Sequence, residues 1–425
     1  MNKYFKKITF LTAIFCGLNL VAADKNKSPA KSVIEIWLWG GPSQLETFDP
    51  KPKSGYDINR NHKAIPTNVP GTQISEFLPE LAKITNRYSI VRSMTHDIFA
   101  HETATYLMQT GRKPGNLVYP AIGTIISMMK VRSGEYKGKL PAYIAIPSVK
   151  GRFSELGFLS PKYKPLSTGG DPNAEVFEVD GIVSKLLSKQ EFSERSKILK
   201  KLDVLGKAAS KSNAVKQFDQ AEKTAVEIIT GEARKVFNLA EESDETRNRY
   251  CRNTFGQSCL AARRLVEYGV PYIAINFNGW DTHKRHFAAA REKLAQLDQG
   301  LSALLLDLEK RGLLKSTIVW CGGEFGRRPL ISWESPWNGG RQHHPLCFSA
   351  LVAGGGFKGG KVVGESDATA THVKSRPVYP QDFLGSICEM AGIDPDSYLP
   401  NPIGKKIRVM PKESKLGRLR ELYTK

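Results

Sequence analysis

Six of the eight histidines of this 425-residue chain fall in three short blocks, each beside glycine, carboxylate or arginine residues. Histidines and carboxylates gathered in this way bind zinc and also serve as general acids and bases. A single histidine of this kind is more often a structural residue than a ligand, whereas three clusters together favour one shared site. The blocks are His96 with His101, His283 with His286, and His343 with His344.

The second block ends the segment Asn276-Phe-Asn-Gly-Trp-Asp-Thr-His283, which follows a hydrophobic run. Alternate residues of an extended loop point to the same side, so Asp281 and His283 are placed to bind one cation together. The alternative is that Asp281 is the N-cap of the following helix, with His283 in its first turn. The ligand interpretation is favoured, and one residue could do both.

Another strand end carries a carboxylate and a guanidinium in the sequence Gly322-Gly-Glu-Phe-Gly-Arg327. The two glycines let the backbone turn sharply and present Glu324, which we expect to bind metal. Arg327 has the planar fork that binds two oxygens of a phosphate or sulfate group. A buried salt bridge between Glu324 and Arg327 is the alternative.

The segment Gly339-Gly-Arg-Gln-His-His-Pro345 places Arg341 and two adjacent histidines on a glycine-rich loop. Neighbouring residues of an extended segment face opposite ways. We therefore expect one of His343 and His344 to bind metal and the other to contact the substrate or a ligand. Arg341 is a second candidate for holding substrate oxygens.

Two further segments add candidate catalytic groups. Ser43 directly follows the first predicted strand, where a metal-activated nucleophile would stand, and it is equally placed to cap a short helix. In the segment Ser93–Glu102, His101 is favoured for the site over His96 and Asp97. Ser43 and His101 therefore join the two arginines as candidate catalytic residues.

Strands and helices alternate along the chain, which predicts an α/β fold with a mainly parallel sheet between helices on both faces. In such sheets functional loops lie at the carboxyl ends of the strands, and the candidate site residues stand at these ends. The predicted strands are Ser32–Trp39, Ser89–Ser93, Pro141–Ile146, Pro271–Phe277 and Ser316–Cys321. The predicted helices are Ile74–Tyr88, His101–Thr110, Thr246–Tyr268 and Phe287–Arg311.

Residues 180–242 are rich in Lys, Glu, Ala and Leu and have almost no Gly or Pro, which predicts a helical insertion without a catalytic role. The first 23 residues resemble a secretory signal, with Lys3, Lys6 and Lys7 before a short hydrophobic run. Cleavage near Ala23 would leave residues 24–425 as one exported domain, periplasmic or at the cell surface. A lipid anchor at Cys16 is the less favoured alternative. We expect no transmembrane helix in the mature chain.

The formal net charge of +20 favours anionic partners, although a solvated lysine-rich surface accounts for it equally well. No motif that interleaves basic and aromatic residues is present, so we expect no nucleic-acid partner. Without Cys16 the chain keeps five cysteines, an odd number that argues against a complete disulfide framework. A bridge between Cys251 and Cys259 stays open.

These motifs closely resemble those of the family called domain of unknown function 1501, which is placed with the alkaline phosphatase and sulfatase superfamily. The resemblance extends over nearly the whole mature chain. It rests on Trp39-Gly-Gly-Pro-Ser43 with Phe48-Asp-Pro-Lys-Pro52, on Gly279-Trp-Asp-Thr-His283, on Gly323-Glu-Phe-Gly-Arg327 and on Gly340-Arg-Gln-His-His-Pro345.

The resemblance implies an alkaline-phosphatase-like three-layer sandwich and a helix near Val378–Gly392. Glu324 takes the position of a superfamily metal-binding aspartate, but Phe325 stands where a metal-binding histidine is expected. The Cys/Ser-x-Pro-x-Arg motif that sulfatases convert to formylglycine is absent, which argues against a conventional sulfatase.

The leading hypothesis is an exported metal-dependent hydrolase that acts on phosphate or sulfate esters of a small molecule or glycan. Asp281, His283, Glu324 and one histidine of the 343/344 pair would bind a divalent cation. Histidine mixed with carboxylate suits zinc or manganese better than calcium. The alternative is a catalytically silent binding protein for an anionic glycan or partner.

Overall fold

The computed structural model describes residues 30–149, 156–184, 190, 191, 194, 226–401 and 404–424. The strands of this part of the chain, in order, are β1 (Ser32–Trp39), β2 (Ala64–Pro66), β3 (Gln73–Ser75), β4 (Tyr88–Met94), β5 (Tyr143–Ile146), β6 (Leu166–Ser167), β7 (Tyr272–Asn278), β8 (Thr317–Gly322), β9 (Gly326–Arg327), β10 (His343–His344), β11 (Phe348–Gly354), β12 (Val362–Val363), β13 (Glu365–Ser366) and β14 (Val373–Ser375).

Eight of these strands form a central sheet in the order β12-β4-β11-β8-β1-β7-β5-β6. β1 runs parallel to both of its neighbours, β7 and β8, and β5 runs parallel to β6 and β7. β11 is antiparallel to both β4 and β8, so those two strands point the same way as the rest. The sheet is therefore mainly parallel, as predicted.

Helices cover both faces of the sheet. Those that lie wholly within the described ranges are α1 (Tyr56–Asn59), α2 (Pro79–Ala82), α3 (His101–Thr110), α4 (Ile122–Arg132), α5 (Asp244–Arg249), α6 (Thr254–Glu267), α7 (His286–Lys310) and α8 (Pro380–Met390). Turns of 3-10 helix lie at Thr85–Arg87, Pro161–Tyr163, Glu232–Phe237, Leu239–Glu241, Leu314–Ser316 and Arg420–Leu422.

Side chains of β1 alternate between two hydrophobic cores because successive residues of a strand face opposite ways. Ile34 and Ile36 pack in the core that contains α6 and α7. Val33 and Trp37 pack in the other core, with α4 and α8. Burial on both faces explains why β1 reads as a nearly continuous apolar run. The fold is a three-layer α/β sandwich, which confirms the predicted fold class.

Two predicted helices differ from the structure. Residues 74–88 contain the end of β3, the single turn of α2 and a 3-10 turn instead of one helix. Thr246–Tyr268 is divided into α5 and α6, because Cys251 adopts a left-handed conformation with φ of 72° that a helix does not allow. Cys251 and Cys259 are both free thiols, so the bridge left open by the sequence is not formed.

The predicted signal segment 1–23 lies outside the described residues. Most of the predicted insertion 180–242 also does, and its described part includes the two 3-10 segments between Glu232 and Glu241. Among the helices of the described ranges, none has the length and hydropathy needed to cross a bilayer.

The topology explains how distant segments reach one edge of the sheet. The carboxyl ends of β1, β4, β7 and β8 lie at the same edge, because these strands run in the same direction. β11 runs the opposite way, so its amino-terminal end lies at that edge too. The residues before β11, including β10, therefore meet the loops that follow the parallel strands.

Candidate metal centre

Four side chains from three segments meet at this edge. His101 comes from the first residue of α3, Asp281 and His283 come from the loop after β7, and His343 comes from β10. One ligand atom from each residue lies within 4.8 Å of those of the other three. We call these residues the four-residue group. In the described part of the chain it is the one set of this kind.

The three imidazoles point their Nε2 atoms at one carboxylate oxygen. Asp281 Oδ1 lies 3.3 Å from Nε2 of His101, 3.1 Å from that of His283 and 3.4 Å from that of His343. The Nε2 atoms of His283 and His343 are themselves 2.8 Å apart. Two unprotonated nitrogens at that distance repel each other unless a proton or a cation lies between them.

The other nitrogen of each imidazole is held by a hydrogen-bond partner. Nδ1 of His101 lies 2.6 Å from Glu324 Oε1, and Nδ1 of His343 lies 2.7 Å from the carbonyl oxygen of Phe99. Nδ1 of His283 lies 2.6 Å from Gln342 Oε1. The Glu324 carboxylate and the Phe99 carbonyl place a proton on Nδ1 of His101 and His343, so in the neutral form each of these imidazoles presents its Nε2 lone pair to the centre. The Gln342 amide can accept from or donate to Nδ1 of His283. Hydrogen bonds of this kind orient metal-binding histidines.

The spacing of these atoms fits a small divalent cation. Ligands about 2.0–2.1 Å from a tetrahedral zinc ion lie about 3.3 Å from one another. The separations from Asp281 Oδ1 to the three nitrogens, 3.1–3.4 Å, agree with that value, whereas the 2.8 Å between Nε2 of His283 and Nε2 of His343 is shorter. The donor set of three imidazoles and one carboxylate suits zinc or manganese.

Charge and exposure also suit an accessible cation. The side chains of Asp281 and His283 are 34% and 30% exposed, so the group is open on one side. Burial raises the pKa of Asp281, but hydrogen bonds from His101, His343 and Arg327 outweigh it and keep the pKa well below the usual range. Burial lowers the pKa of His101, and its bonds to Asp281 and Glu324 more than compensate, raising it to about 9. A cation bound to His101 Nε2 would have to displace a proton from that histidine.

Glu324 lies behind the four-residue group. Its Oε1 atom accepts hydrogen bonds from His101 Nδ1 and from the backbone N–H of Gly40 at 2.8 Å. The side chain is completely buried, and Arg327 pairs with Asp281 instead of with Glu324. Glu324 thus orients His101 and forms no salt bridge with Arg327, unlike the predicted alternative. Its role as a direct metal ligand stays a prediction, and its Oε2 atom is buried without a hydrogen-bond partner among the described residues.

Replacing Glu324 with glutamine is expected to weaken metal binding by about 10–100-fold, because the amide is a weaker acceptor for His101 Nδ1 than the carboxylate. The number of cations bound at saturation should stay unchanged. Competition with a chromogenic chelator measures both quantities. A Glu324→Gln protein that binds no cation at any concentration would show instead that Glu324 is itself a ligand.

Arg327 holds the loop after β1 against Asp281. Its guanidinium is fully buried and donates to the carbonyl oxygens of Gly40 and Gly41 and to Asp281 Oδ1, the last at 2.5 Å. Gly40 has φ of 112°, and a Cβ there would overlap the backbone of Asp281. Arg327 therefore positions the ligand Asp281, whereas the sequence suggested that it holds substrate oxygens.

A second, buried network lies beside this loop, around Glu46. Its carboxylate contacts Arg341 Nη2 at 2.8 Å and His286 Nε2 at 3.0 Å. The Ser43 side chain lies beside this carboxylate, and its hydroxyl has no hydrogen-bond partner among the described residues. Arg341 also donates to the carbonyls of Arg328, Pro329 and Ile58. The structure thus places Ser43 and Arg341 in a buried network and not in the four-residue group. No helix begins after Ser43.

The remaining sequence candidates are also placed. His344 faces away from His343, and its Nε2 bonds to the carbonyl oxygen of Thr371 at 2.7 Å, so it does not join the group. His96 bonds to the carbonyl oxygen of Glu324. Asp281 does not cap α7, which begins at His286 after Arg285 in a left-handed conformation.

Aromatic rings form one wall of the site. Trp39 stacks on His101 with ring centroids 5.1 Å apart. Phe325 packs against His101 at 4.9 Å and against His343 at 4.6 Å, and it is fully buried. The sequence places both rings near the site, since Trp39 ends the first strand and Phe325 follows Glu324 directly. These rings restrict the imidazoles and exclude water from one side.

Comparison with known proteins gives the family. Residues 30–418 match the family model described as "Protein of unknown function (DUF1501)". The chain belongs to the DUF1501 family. The match spans the sheet, both helical layers and every residue of the four-residue group. No curated protein matches this DUF1501 chain.

Solved structures similar to this DUF1501 protein include three proteins. A lipoteichoic acid synthase from Listeria monocytogenes shares 8% identity, with 92% of this chain and 78% of that chain covered and a TM-score of 0.40. A putative sulfatase from Bacteroides thetaiotaomicron shares 12%, with coverage of 89% and 73% and a TM-score of 0.40. A phosphonate monoester hydrolase from Silicibacter pomeroyi shares 11%, with coverage of 86% and 74% and a TM-score of 0.36. No residue assignment follows from them.

Proposed function

We propose that this protein is a metal-dependent hydrolase of phosphate or sulfate esters, exported to the periplasm or cell surface. The observation that carries the proposal is the convergence of the Nε2 atoms of three histidines on Asp281 Oδ1, with every Nδ1 held by a hydrogen-bond partner. A histidine cluster held only for packing does not need all three rings oriented toward one point. The cation is zinc or manganese.

The chain's own residues bind and orient the reactants in this proposal. Asp281 and the three histidines hold the cation, while Glu324 keeps a proton on His101 Nδ1. Arg327 fixes the Asp281 carboxylate by a hydrogen bond to Oδ1, the same oxygen that the three imidazoles face. When bound, the cation supplies Lewis acidity toward a phosphoryl or sulfuryl oxygen and lowers the pKa of water.

Water is the nucleophile that the geometry supports better than Ser43. The Ser43 side chain is buried and lies against Glu46. The four-residue group, in contrast, is open to solvent at Asp281 and His283. An ester and a water molecule can reach this open side together, so no covalent intermediate on the chain is required.

The alternative is a catalytically silent protein that binds an anionic glycan or partner. One observation favours it: Arg327 and Arg341 are fully buried and bound by acceptors of the protein itself. Neither guanidinium is then available to hold the oxygens of a transferring group. The net charge of +20 would serve binding as well as catalysis.

Titration of the metal-free protein with zinc or manganese tests the proposal. We expect uptake of one cation per chain, because the described residues provide one group of four ligands. The loaded protein should hydrolyse 4-nitrophenyl phosphate or 4-nitrophenyl sulfate faster than the metal-free protein. Uptake without turnover of either ester would favour the silent binding protein, and no uptake would refute the metal centre.

A further inference from the structure

Three aromatic rings, two of them exposed and one half-buried, form a stack beside the loop that follows β7. Tyr56 and Trp333 lie nearly parallel, with ring centroids 5.3 Å apart and an interplanar angle of 9°. Phe287 continues the stack behind Trp333, at 6.5 Å and 23°. Tyr56 is 52% exposed and Trp333 is 38% exposed. We call Tyr56, Trp333 and Phe287 the aromatic stack.

The aromatic stack is held in position by hydrogen bonds. Trp333 Nε1 donates to Asp57 Oδ1 at 2.9 Å, and the backbone N–H of Ile331 donates to the carbonyl oxygen of Asp57. These bonds join α1, which carries Tyr56, to the loop that carries Trp333. Rings fixed before binding lose little conformational entropy when a ligand packs on them.

The aromatic stack and the metal centre share two adjacent loops. Residues 331–341 pack along residues 282–287 through hydrogen bonds from Arg285 N–H to the Trp337 carbonyl and from Arg341 N–H to the Thr282 carbonyl. Trp337, in the first loop, lies with its ring 6.0 Å from that of His283. A ligand that extends along the 331–341 loop therefore passes from one feature to the other.

The charge around the aromatic stack is mainly positive. The guanidinium of Arg60 lies 4.7 Å above the Phe287 ring, and Arg60 is exposed. Lys284, Arg285 and Arg328 are exposed on the adjoining loops, against Asp57 and Glu334. A ligand that binds the aromatic stack needs a flat apolar surface that packs on the rings. It also needs negative charge that pairs with the neighbouring basic side chains.

We propose that the aromatic stack binds a sugar ring of an anionic glycan, next to the ester presented to the metal centre. A pyranose ring has a face of C–H bonds that packs flat on an aromatic ring, while its ester groups carry the negative charge. An apolar protein partner would need a larger contiguous hydrophobic patch than two exposed rings bordered by charged residues. The inference that the aromatic stack binds a glycan can be tested by binding alone. It rests on the proposed function only in placing the bound ester next to a catalytic metal centre.

Binding to an array of sulfated galactan, glucan and glycosaminoglycan oligosaccharides, with their unsulfated counterparts, tests the assignment. Tyr56→Ala and Trp333→Leu are each expected to weaken binding of the preferred sulfated oligosaccharide about tenfold. Tyr56→Phe should bind as the wild type does, because it keeps the ring. Tyr398→Ala is the matched control, since Tyr398 is also 52% exposed and lies in the C-terminal region outside the aromatic stack.

The experiment separates this inference from the proposed function. Binding is also measured with His283→Ala, which lacks a metal ligand but keeps the aromatic stack. If glycan binding depends on Tyr56 both in the wild type and in His283→Ala, the aromatic stack is supported. If the wild type also shows no ester turnover, the hydrolase is refuted. Turnover of small esters with equal glycan binding by wild type, Tyr56→Ala and Trp333→Leu refutes the aromatic stack alone. Absence of binding to every oligosaccharide of the array also refutes it.

Discussion

His283→Ala is expected to lose its bound cation and, with it, ester hydrolysis. The substitution removes one of the three Nε2 atoms around Asp281 Oδ1, where His283 lies at 3.1 Å. Changes to residues that merely orient a ligand cost about 10–100-fold in metal affinity, so loss of a ligand itself should exceed about 100-fold. Metal content after gel filtration and kcat/KM for 4-nitrophenyl esters measure the two effects.

Two histidine controls make this prediction specific. His372→Ala removes an exposed histidine that is not part of the four-residue group and should leave metal content and turnover unchanged. His344→Ala should also keep the cation, because His344 bonds to the Thr371 carbonyl and not to Asp281. The proposed ligands would be contradicted if His283→Ala retained the cation. They would also be contradicted if His344→Ala lost the cation while His343→Ala kept it.

Glu46→Gln is expected to lower the free energy of unfolding by about 3–5 kcal/mol, the usual effect of removing one partner from a buried ion pair. Glu46 and Arg341 are buried, and their contact is 2.8 Å long. Without the carboxylate charge, the Arg341 guanidinium stays buried and uncompensated. Urea unfolding followed by circular dichroism measures the difference at pH 7. The exposed pair Glu365–Lys374 offers a control, and Glu365→Gln should change stability by less than about 0.5 kcal/mol.

The effect of Glu46→Gln should depend on pH in a defined direction. Burial raises the pKa of Glu46, but Arg341 and His286 outweigh it and hold the pKa well below its ordinary value of 4.5. A carboxyl group with a lowered pKa in the folded state stabilises that state fully above the unfolded pKa. The difference between wild type and Glu46→Gln should therefore be largest above pH 4.5 and shrink as the pH falls below it. A difference that does not change with pH would show that the ion pair is not its source.

The elements that local sequence determines were predicted with correct bounds. The strand Ser32–Trp39 is a nearly continuous apolar run, interrupted by Glu35, that ends at Gly40, and the helix His101–Thr110 ends at Gly111 in a left-handed conformation. The region 74–88 was predicted wrongly because remote residues determine its structure. Asp298 accepts hydrogen bonds from the backbone N–H groups of Glu80 and Leu81, more than 200 positions earlier in the chain.

The site residues also divide into those positioned by local sequence and those positioned by remote residues. Asp281 and His283 could be identified from their spacing after a strand, since local geometry brings them together. The choice between His343 and His344, and the position of Glu324, depend on atoms from other segments. His344 is held by Thr371, whereas Glu324 is held by the backbone N–H of Gly40. Hydrogen bonds between distant segments leave no pattern in a single sequence.

The antiparallel direction of β11 determines when the metal centre can form during folding. β11 lies between β4 and β8 and runs antiparallel to both, so it begins at the edge of the sheet where those strands end. His343 lies just before β11 and therefore reaches the four-residue group at that edge. The ligands are separated by as many as 242 positions, from His101 to His343, and such long-range pairing is slow to form. A nascent chain that ends before β10 therefore has only three of the four ligands. Binding of the proposed cation would then be a late event of folding, and it would stabilise the folded chain by mass action.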